Sequence, residues 1–580
     1  MKKLLVYMKK YRIEATLAPF LKLCEALLEL CIPLFVAAVI DRGAGGGSKH
    51  EVIVNCLRML LFGAAGMILS VTSQYLSARA AVGFSASVRA AALDSVLRST
   101  LYGEGRPGSS ALVTRLTSDT DRIQNGVNLG LRLLLRSPFI VFGSVLMAFF
   151  CDVRTGFVFL AAVPVLTAVI FAFIFLGKRL EKNAAGKLER LTVRTRDSIY
   201  GVRVIRAFRQ EKGEISSFDR ENGEHCSASV RAGRFSSFLS PVLMILVNAS
   251  IIVIIAFGTK GVDSGRISQG TVVSLYNYMA LILTELVKMA NLVVTLARTA
   301  ASADRVAEII ELDREKTGDP GPACDDGDAE DESLPAVEFE NVSFAYPGAS
   351  DDSLRGISFS LKRGGSLGII GGTGSGKSTL ASLIPGLYLP TSGSVRIFGK
   401  DTSAGDLSSL RSKIAFVPQK ARLFSGSVAD NIRWGMADAG DAEIDEALRN
   451  ACALDFVNGK PGGREAAVER DGVNFSGGQR QRLSIARALV RRPEILLLDD
   501  SFSALDLATD LAVRKNIAAL DYSPAVVIIS QRPSSIMSCD RILVLDNGTP
   551  AGLGSHSELL ATCPLYREIY DSQYAEEAGE

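Results

Sequence analysis

Histidine is almost missing from this chain: 580 residues carry three, His50, His225 and His556. None falls near the apolar strand pattern at 525–530, so no imidazole is available at that strand's end. A charge excess of one sign is also lacking. Lys and Arg number 64 against 62 Asp and Glu, and a net +2 excludes a polyanionic partner such as nucleic acid. The nine cysteines are scattered without a CxxC pair, which excludes a disulfide framework or a zinc site and suits a reducing compartment. The opening MKKLLVYMKKYR is basic but lacks a short apolar core followed by a small-residue cleavage site. It reads as an amphipathic helix, about 2–14, lying on the cytoplasmic membrane face.

Apolar residues are abundant, at 48%, and crowd before residue 300. A bilayer-crossing helix needs about 20 mainly apolar residues. Six windows qualify, roughly 16–40, 53–78, 129–151, 156–177, 237–259 and 271–296. The connections alternate: 41–52, 152–155 and 260–270 are short, whereas 79–128 and 178–236 are long, polar and rich in Lys and Arg. The positive-inside rule places both long connections and both termini in the cytoplasm. Helical periodicity runs out of spans two and four into these connections, so both helices are expected to project beyond the bilayer, with GEGRPGSS (103–110) supplying one turn. Charges inside spans are costly. Lys22, Glu25 and Glu29 share a helix face and could neutralise one another. Arg132 and Arg136 are expected to snorkel from the end of span three. Glu285 and Lys288, mid-span six, either line a polar cavity or form an internal ion pair.

Residues 313–335, DREKTGDPGPACDDGDAEDESLP, read as a solvated acidic linker, which separates a membrane domain (1–312) from an α/β domain (336–580). In that second domain the apolar strand SLGII (366–370) leads into GGTGSGKST (371–379), and a helix is expected from about Lys377. Strand, glycine loop and helix form the phosphate-loop context. Gly371, Gly372, Thr373, Gly374, Ser375 and Gly376 would let the backbone approach phosphates at a helix N-terminus. Lys377 would reach the β- and γ-phosphates of ATP, Ser378 would ligate Mg²⁺, and Thr379 would bond a phosphate oxygen. ILLL (495–498) reads as a buried strand ending in Asp499, a Mg²⁺-supporting carboxylate. A helical insertion is expected at about 425–490.

The ordered set GGTGSGKST, FSGGQ (475–479) and EILLLDDSFSALD (494–506) resembles the nucleotide-binding domain of ATP-binding cassette (ABC) transporters. The whole chain resembles their half-size exporters, with a six-helix exporter membrane domain fused to one phosphate-loop ATPase domain carrying a helical subdomain. The resemblance implies adenine stacking at Tyr346 and a loop glutamine at Gln419 that contacts Mg²⁺ or attacking water. It also implies a signature, Ser476, Gly477, Gly478 and Gln479, that reaches a partner's nucleotide, with Asp506 crossing the dimer. IYGVRVIRAF (199–208) resembles the second coupling segment. Two positions depart from the family: Asp500 stands where it places Glu, and Gln531 where it places a switch histidine. VERDG (468–472) replaces a GERG-type segment. Together with the closing GSHSELLATCPLYREIYDSQY, this pattern is similar to the degenerate-site subunit of bacterial heterodimeric multidrug exporters. The expectation is a cell-membrane exporter of amphipathic small molecules that binds ATP well, hydrolyses it poorly at its own site, and pairs with a second half-transporter. A slow homodimeric exporter of lipid or peptide, and an ATP-gated regulator, are the alternatives. Some relatives of this architecture import siderophores, so outward transport is itself an implication of the resemblance.

Overall fold

The computed structural model describes residues 2–44, 49–99, 108–312, 333–403 and 407–577. The turn expected at 103–107 and nearly all of the acidic linker lie outside them. The chain divides into two compact units: Met1–Asp94 with Pro107–Glu311, and Leu312–Glu580 with Ser95–Arg106.

The first unit is all helical. A 3₁₀ segment, Lys2–Tyr11, leads into α1 (Arg12–Ala44) and α2 (Lys49–Arg98). Then come α3 (Ser109–Thr114), a π-helical turn at Arg115–Asp119, α4 (Thr120–Leu133), α5 (Arg136–Cys151) and α6 (Val153–Tyr200). Gly201 breaks the chain before α7 (Val202–Ala207), α8 (Glu211–Ser237), α9 (Leu239–Asp263) and α10 (Gln269–Ile310). Among the described residues six segments are long and apolar enough to cross a bilayer, and each contains one of the sequence windows. With 50 residues, α2 is about 75 Å long, far beyond the roughly 30 Å of a hydrocarbon core.

Polar contacts at three levels hold α10 to its neighbours. At its start, Asp41 of α1 accepts from Ser268 Oγ at 2.5 Å and from the Gly270 amide at 2.7 Å. Gly270 is required there, since a Cβ would sit 2.2 Å from the Ala37 carbonyl oxygen. In its middle, Glu285 accepts from Arg136 Nη1 and Lys288 Nζ, both at 2.8 Å, and from Ser137 Oγ at 2.7 Å. Near its end, Arg305 Nε donates to the buried Asp119 at 2.8 Å, and Ser302 bonds the same carboxylate.

These contacts correct one expectation. Arg136 does not snorkel: it is 8% exposed and spans from Glu285 to Glu29 of α1, whose carboxylate it meets at 2.6 Å. Glu29 is therefore paired across helices, while Lys22 bonds Glu25 and Ser70. Two acids and two bases, Glu29, Glu285, Arg136 and Lys288, sum to zero charge, which lowers the cost of burying Arg136 and Glu285. Of the two alternatives for Glu285, the internal ion pair is the one formed.

In the second unit, β1 (Val337–Phe344), β2 (Leu354–Leu361), β4 (Ser392–Ile397) and β5 (Lys400–Asp401) form an antiparallel sheet ordered β2-β1-β4-β5. The main sheet runs β12-β11-β3-β10-β9-β6. Its strands are β3 (Ser366–Gly371), β6 (Ile414–Val417), β9 (Ile495–Asp499), β10 (Ala525–Ile529), β11 (Arg541–Asp546) and β12 (Thr549–Gly554). All pair in parallel except β12. Successive residues of β9 bury on opposite faces: Leu496 and Leu498 in one core, Ile495 and Leu497 in the other. Coverage on both faces is why this strand reads as an unbroken apolar run. Helix α11 (Lys377–Leu383) follows β3, and α12 (Leu407–Ser412) precedes β6. The insertion contains α13 (Val428–Arg433), α14 (Asp441–Asn450), α15 (Leu454–Asn458) and α16 (Gly477–Leu489), with a short β7–β8 pair at Gly426–Ser427 and Ala467–Val468. Helices α17 (Leu507–Ala518), α18 (His556–Thr562) and α19 (Pro564–Glu577) complete the unit.

Truncating one member of a buried ion pair strands its partner's charge, at a cost of about 3–5 kcal/mol. Arg136→Ala should therefore lower the thermal unfolding midpoint of the purified protein clearly. The double change Arg136→Met with Glu285→Gln should recover much of that loss. A wild-type midpoint for Arg136→Ala would mean the pairing contributes nothing.

Candidate functional site

In a parallel sheet, ligands bind where strands end and loops lead to helices. Here the C-terminal ends of β3, β9 and β10 surround a cavity of about 470 Å³. The β3–α11 loop forms one wall. Gly371 pairs with Leu545 of β11, and a Cβ on it would lie 2.2 Å from the Leu545 carbonyl oxygen. Gly374 and Gly376 have φ of +82° and +92°, the left-handed region that glycine adopts without steric cost. A Cβ on Gly376 would also come within 2.9 Å of the Ser353 carbonyl oxygen.

Lys377, the first residue of α11, is buried and donates to the carbonyls of Gly371 at 2.8 Å and Gly372 at 2.6 Å. Burial pushes its ammonium below the ordinary lysine range, against the attraction of Asp500 and Asp499. Ser378 Oγ donates to Asp499 Oδ1 at 3.2 Å. Burial raises the Asp499 carboxyl, and the Asp500 charge adds to that rise. Thr379 Oγ1 lies 2.9 Å from the Tyr346 hydroxyl, and the Tyr346 ring packs edge-on against Tyr388 and Phe344.

Asp500 turns sharply away from β9. Its φ is +46°, its amide donates to the Ile529 carbonyl at 2.9 Å, and its carboxylate accepts from Gln419 Nε2 at 3.2 Å. Aspartate is among the few non-glycine residues enriched in that backbone region. Gln531 follows the end of β10 and lines the same cavity, and its carbonyl accepts from Gln573 of α19 at 2.9 Å.

The cavity thus collects Tyr346, Thr373, Gly374, Ser375, Gly376, Lys377, Ser378, Thr379, Gln419, Asp499, Asp500 and Gln531. Gly371 and Gly372 shape the loop without lining it. The signature residues and Asp506 are likewise not among its lining. Ser476 caps α16, sharing reciprocal bonds with Gln479 at 3.1 and 3.3 Å, and is exposed. Asp506 caps α17 by accepting from the Thr509 amide at 2.9 Å. A Cβ on Gly478 would meet the Ala504 carbonyl at 3.0 Å, so the signature packs against SALD.

Five lining residues were not singled out from sequence: Asp352, Ser353, Ile529, Ser530 and Asn547. Asn547 and Gly548, with φ of +44° and +82°, turn the β11–β12 hairpin. The Asn-Gly dipeptide signals such a turn, but only the strand order brings it beside β3.

Two family profiles match: "ABC transporter transmembrane region" over residues 16–286, and "ABC transporter" over 354–503. A Bacillus subtilis protein titled "Uncharacterized ABC transporter ATP-binding protein YfiB" is 34% identical over the full length of both chains. The chain belongs to the ABC transporter family. Another relative from that organism, the "Probable multidrug resistance ABC transporter ATP-binding/permease protein YheI", is 31% identical and is covered over 99% of its length by all of this chain. The "ATP-dependent lipid A-core flippase" of Photobacterium profundum is 26% identical, over 99% of this chain and 98% of its own. A solved structure titled "Structure of a bacterial Atm1-family ABC exporter with ATP bound" superposes with a TM-score of 0.81 over 99% of both chains, at 24% identity. This ABC transporter is a half-size exporter: a multi-pass membrane unit and one ATP-hydrolysing unit in a single chain, which must dimerise.

The glycine geometry separates two substitutions in the same loop. Gly376→Ala should weaken binding of a fluorescent ATP analogue by about tenfold, because of left-handed strain and a backbone clash. At Gly372 a Cβ meets nothing within 4 Å, so Gly372→Ala should bind almost as wild type does. Equal losses at the two positions would remove the steric account.

Proposed function

We propose that this chain is the hydrolysis-impaired half of a heterodimeric exporter of amphipathic small molecules, of the multidrug type. One observation carries the proposal: Asp500 and Gln531 line the same cavity as a complete phosphate loop, while the intact signature is displayed elsewhere on the unit. The multidrug title of the YheI relative supports the substrate class. The positive-inside pattern supports a bacterial cell membrane location with termini and ATPase domain cytoplasmic. We assign 1–312 to the membrane domain, 313–335 to the linker and 336–580 to the nucleotide-binding domain.

In this proposal Tyr346 faces the adenine and the loop amides with Lys377 hold the phosphates. No group of three or more His, Cys, Asp or Glu suited to a metal occurs among the described residues. The pair Ser378 and Asp499 offers hard oxygens, and a Mg²⁺ site completed by phosphate oxygens, with Gln419 beside it, fits that sparse donor set. Bound there, Mg²⁺ would neutralise phosphate charge. Asp500 then has to orient the attacking water. Its carboxylate is one methylene shorter than glutamate and is already engaged by Gln419. A misplacement of about 1 Å can cost about 10²-fold in rate. Gln531 can donate a hydrogen bond to a γ-phosphate, but it cannot carry the positive charge of an imidazolium. Binding is retained and turnover is lost, so the signature Ser476–Gln479, with Asp506, serves the partner's nucleotide.

Purification from native membranes should yield a distinct homologue carrying Glu and His at these two positions. In that complex Ser476→Arg should abolish most transport-coupled ATPase while leaving nucleotide binding at Lys377 nearly intact. A stable homodimer with drug-stimulated ATPase at ordinary exporter rates would refute both the pairing and the impaired site, whereas a homodimer that hydrolyses ATP slowly would favour the homodimeric exporter of lipid or peptide.

Asp500→Glu with Gln531→His, assayed where the partner's own glutamate is changed to Gln, should raise ATPase several-fold but not fully. Glutamate regains reach yet fits a φ of +46° less readily than aspartate. An unchanged rate would place the deficit outside these two residues.

A further inference from the structure

Along the membrane-spanning parts of α6 and α9 runs a second cavity, of about 550 Å³, away from the ATP site. Its α6 side extends from Arg154 to Leu166 at helical spacing of three and four residues. Twelve residues of rise give a length of about 18 Å, slightly more than half of a hydrocarbon core of about 30 Å. Phe157 and Phe257 flank the end that holds Arg154, and both are exposed. The rest of the lining is aliphatic except Ser250, whose hydroxyl bonds back to the Leu246 carbonyl at 2.9 Å. Arg154 is the single charged lining residue. The nearby acid Asp152 is engaged by Thr155 at 2.6 Å and, as an ion pair, by Arg266 at 3.6 Å rather than by the Arg154 guanidinium. Arginine at the end of a spanning segment reaches the headgroup level.

We propose that this groove holds one acyl chain of an anionic phospholipid, with the lipid phosphate against the Arg154 guanidinium. Three features select that occupant: a one-leaflet length, an apolar lining without a spare donor or acceptor, and one cation at the headgroup end. A zwitterionic lipid offers the same chains but adds a cation beside the guanidinium, so anionic headgroups are preferred. The protein would then carry a bound lipid as part of its membrane face, independently of what it transports.

The test uses the full-length protein, with its natural partner, in nanodiscs of phosphatidylcholine containing phosphatidylglycerol. Phosphatidylglycerol bearing a photoactivatable acyl chain should label peptides around Phe157 and Val253 in the wild-type protein. Unlabelled phosphatidylglycerol should compete for that labelling better than phosphatidylcholine. Native mass spectrometry should find retention of phosphatidylglycerol weakened about fivefold by Arg154→Gln and kept by Arg154→Lys. Ala249→Trp, which fills the groove, should remove the labelling. Equal competition by the two lipids in the wild-type protein would overturn the proposal without recourse to any variant. So would labelling that survives Ala249→Trp, or a cysteine cross-link from Val165 to a second chain.

Discussion

The candidate ATP site rests on backbone that passes too near its neighbours to carry side chains. Gly371 lies against the Leu545 carbonyl and Gly376 against that of Ser353, so the loop between β3 and α11 is pressed into the sheet on both flanks. This closeness fixes where Lys377 begins its helix. It also fixes the distance from Ser378 to Asp499, and with it the donor pair available to a cation. Strand β9 supplies the rest, since an aspartate buried at its tip needs the rigid apolar run behind it. In the proposed function, binding would thus be a property of main-chain geometry, separable from the groups that would act on the terminal phosphate.

Those acting groups sit on less constrained ground. Asp500 leaves the strand in a left-handed conformation and hydrogen-bonds Gln419, while Gln531 is exposed and tied through its carbonyl to α19. A shared site of this kind separates two requirements that a single enzyme must reconcile. In the proposed function one face would hold nucleotide and the other would offer its signature to a neighbour, so that each could change without damaging the other. Two such departures beside an untouched loop and signature form a coherent set.

Much of this was legible in the sequence because it is local. Six apolar runs, a glycine loop between strand and helix, and a strand ending in paired aspartates each declare themselves within about 25 residues. What escaped was long-range. Arg136 looked like a snorkelling residue because its partners Glu29 and Glu285 lie 107 and 149 positions away. Asn547 reaches the cavity only through a strand order that places β11 beside β3, and Asp352 through the loop that leads into β2 of the other sheet. The alternation of charge along α1 suggested a closed set of Lys22, Glu25 and Glu29, but a helix face is shared by whatever packs on it. Glu29 answered to α5 instead.

The contacts along α10 carry a mechanical consequence. This 42-residue helix, about 63 Å of unbroken rod, is pinned at Asp41, at Arg136 and at Asp119. Three pins on one rod leave few independent motions, because flexing any interval strains the bonds at both of its ends. Within the helical unit α10 is therefore a restrained rod, and the charge cluster at Glu285 is the middle of its three anchors.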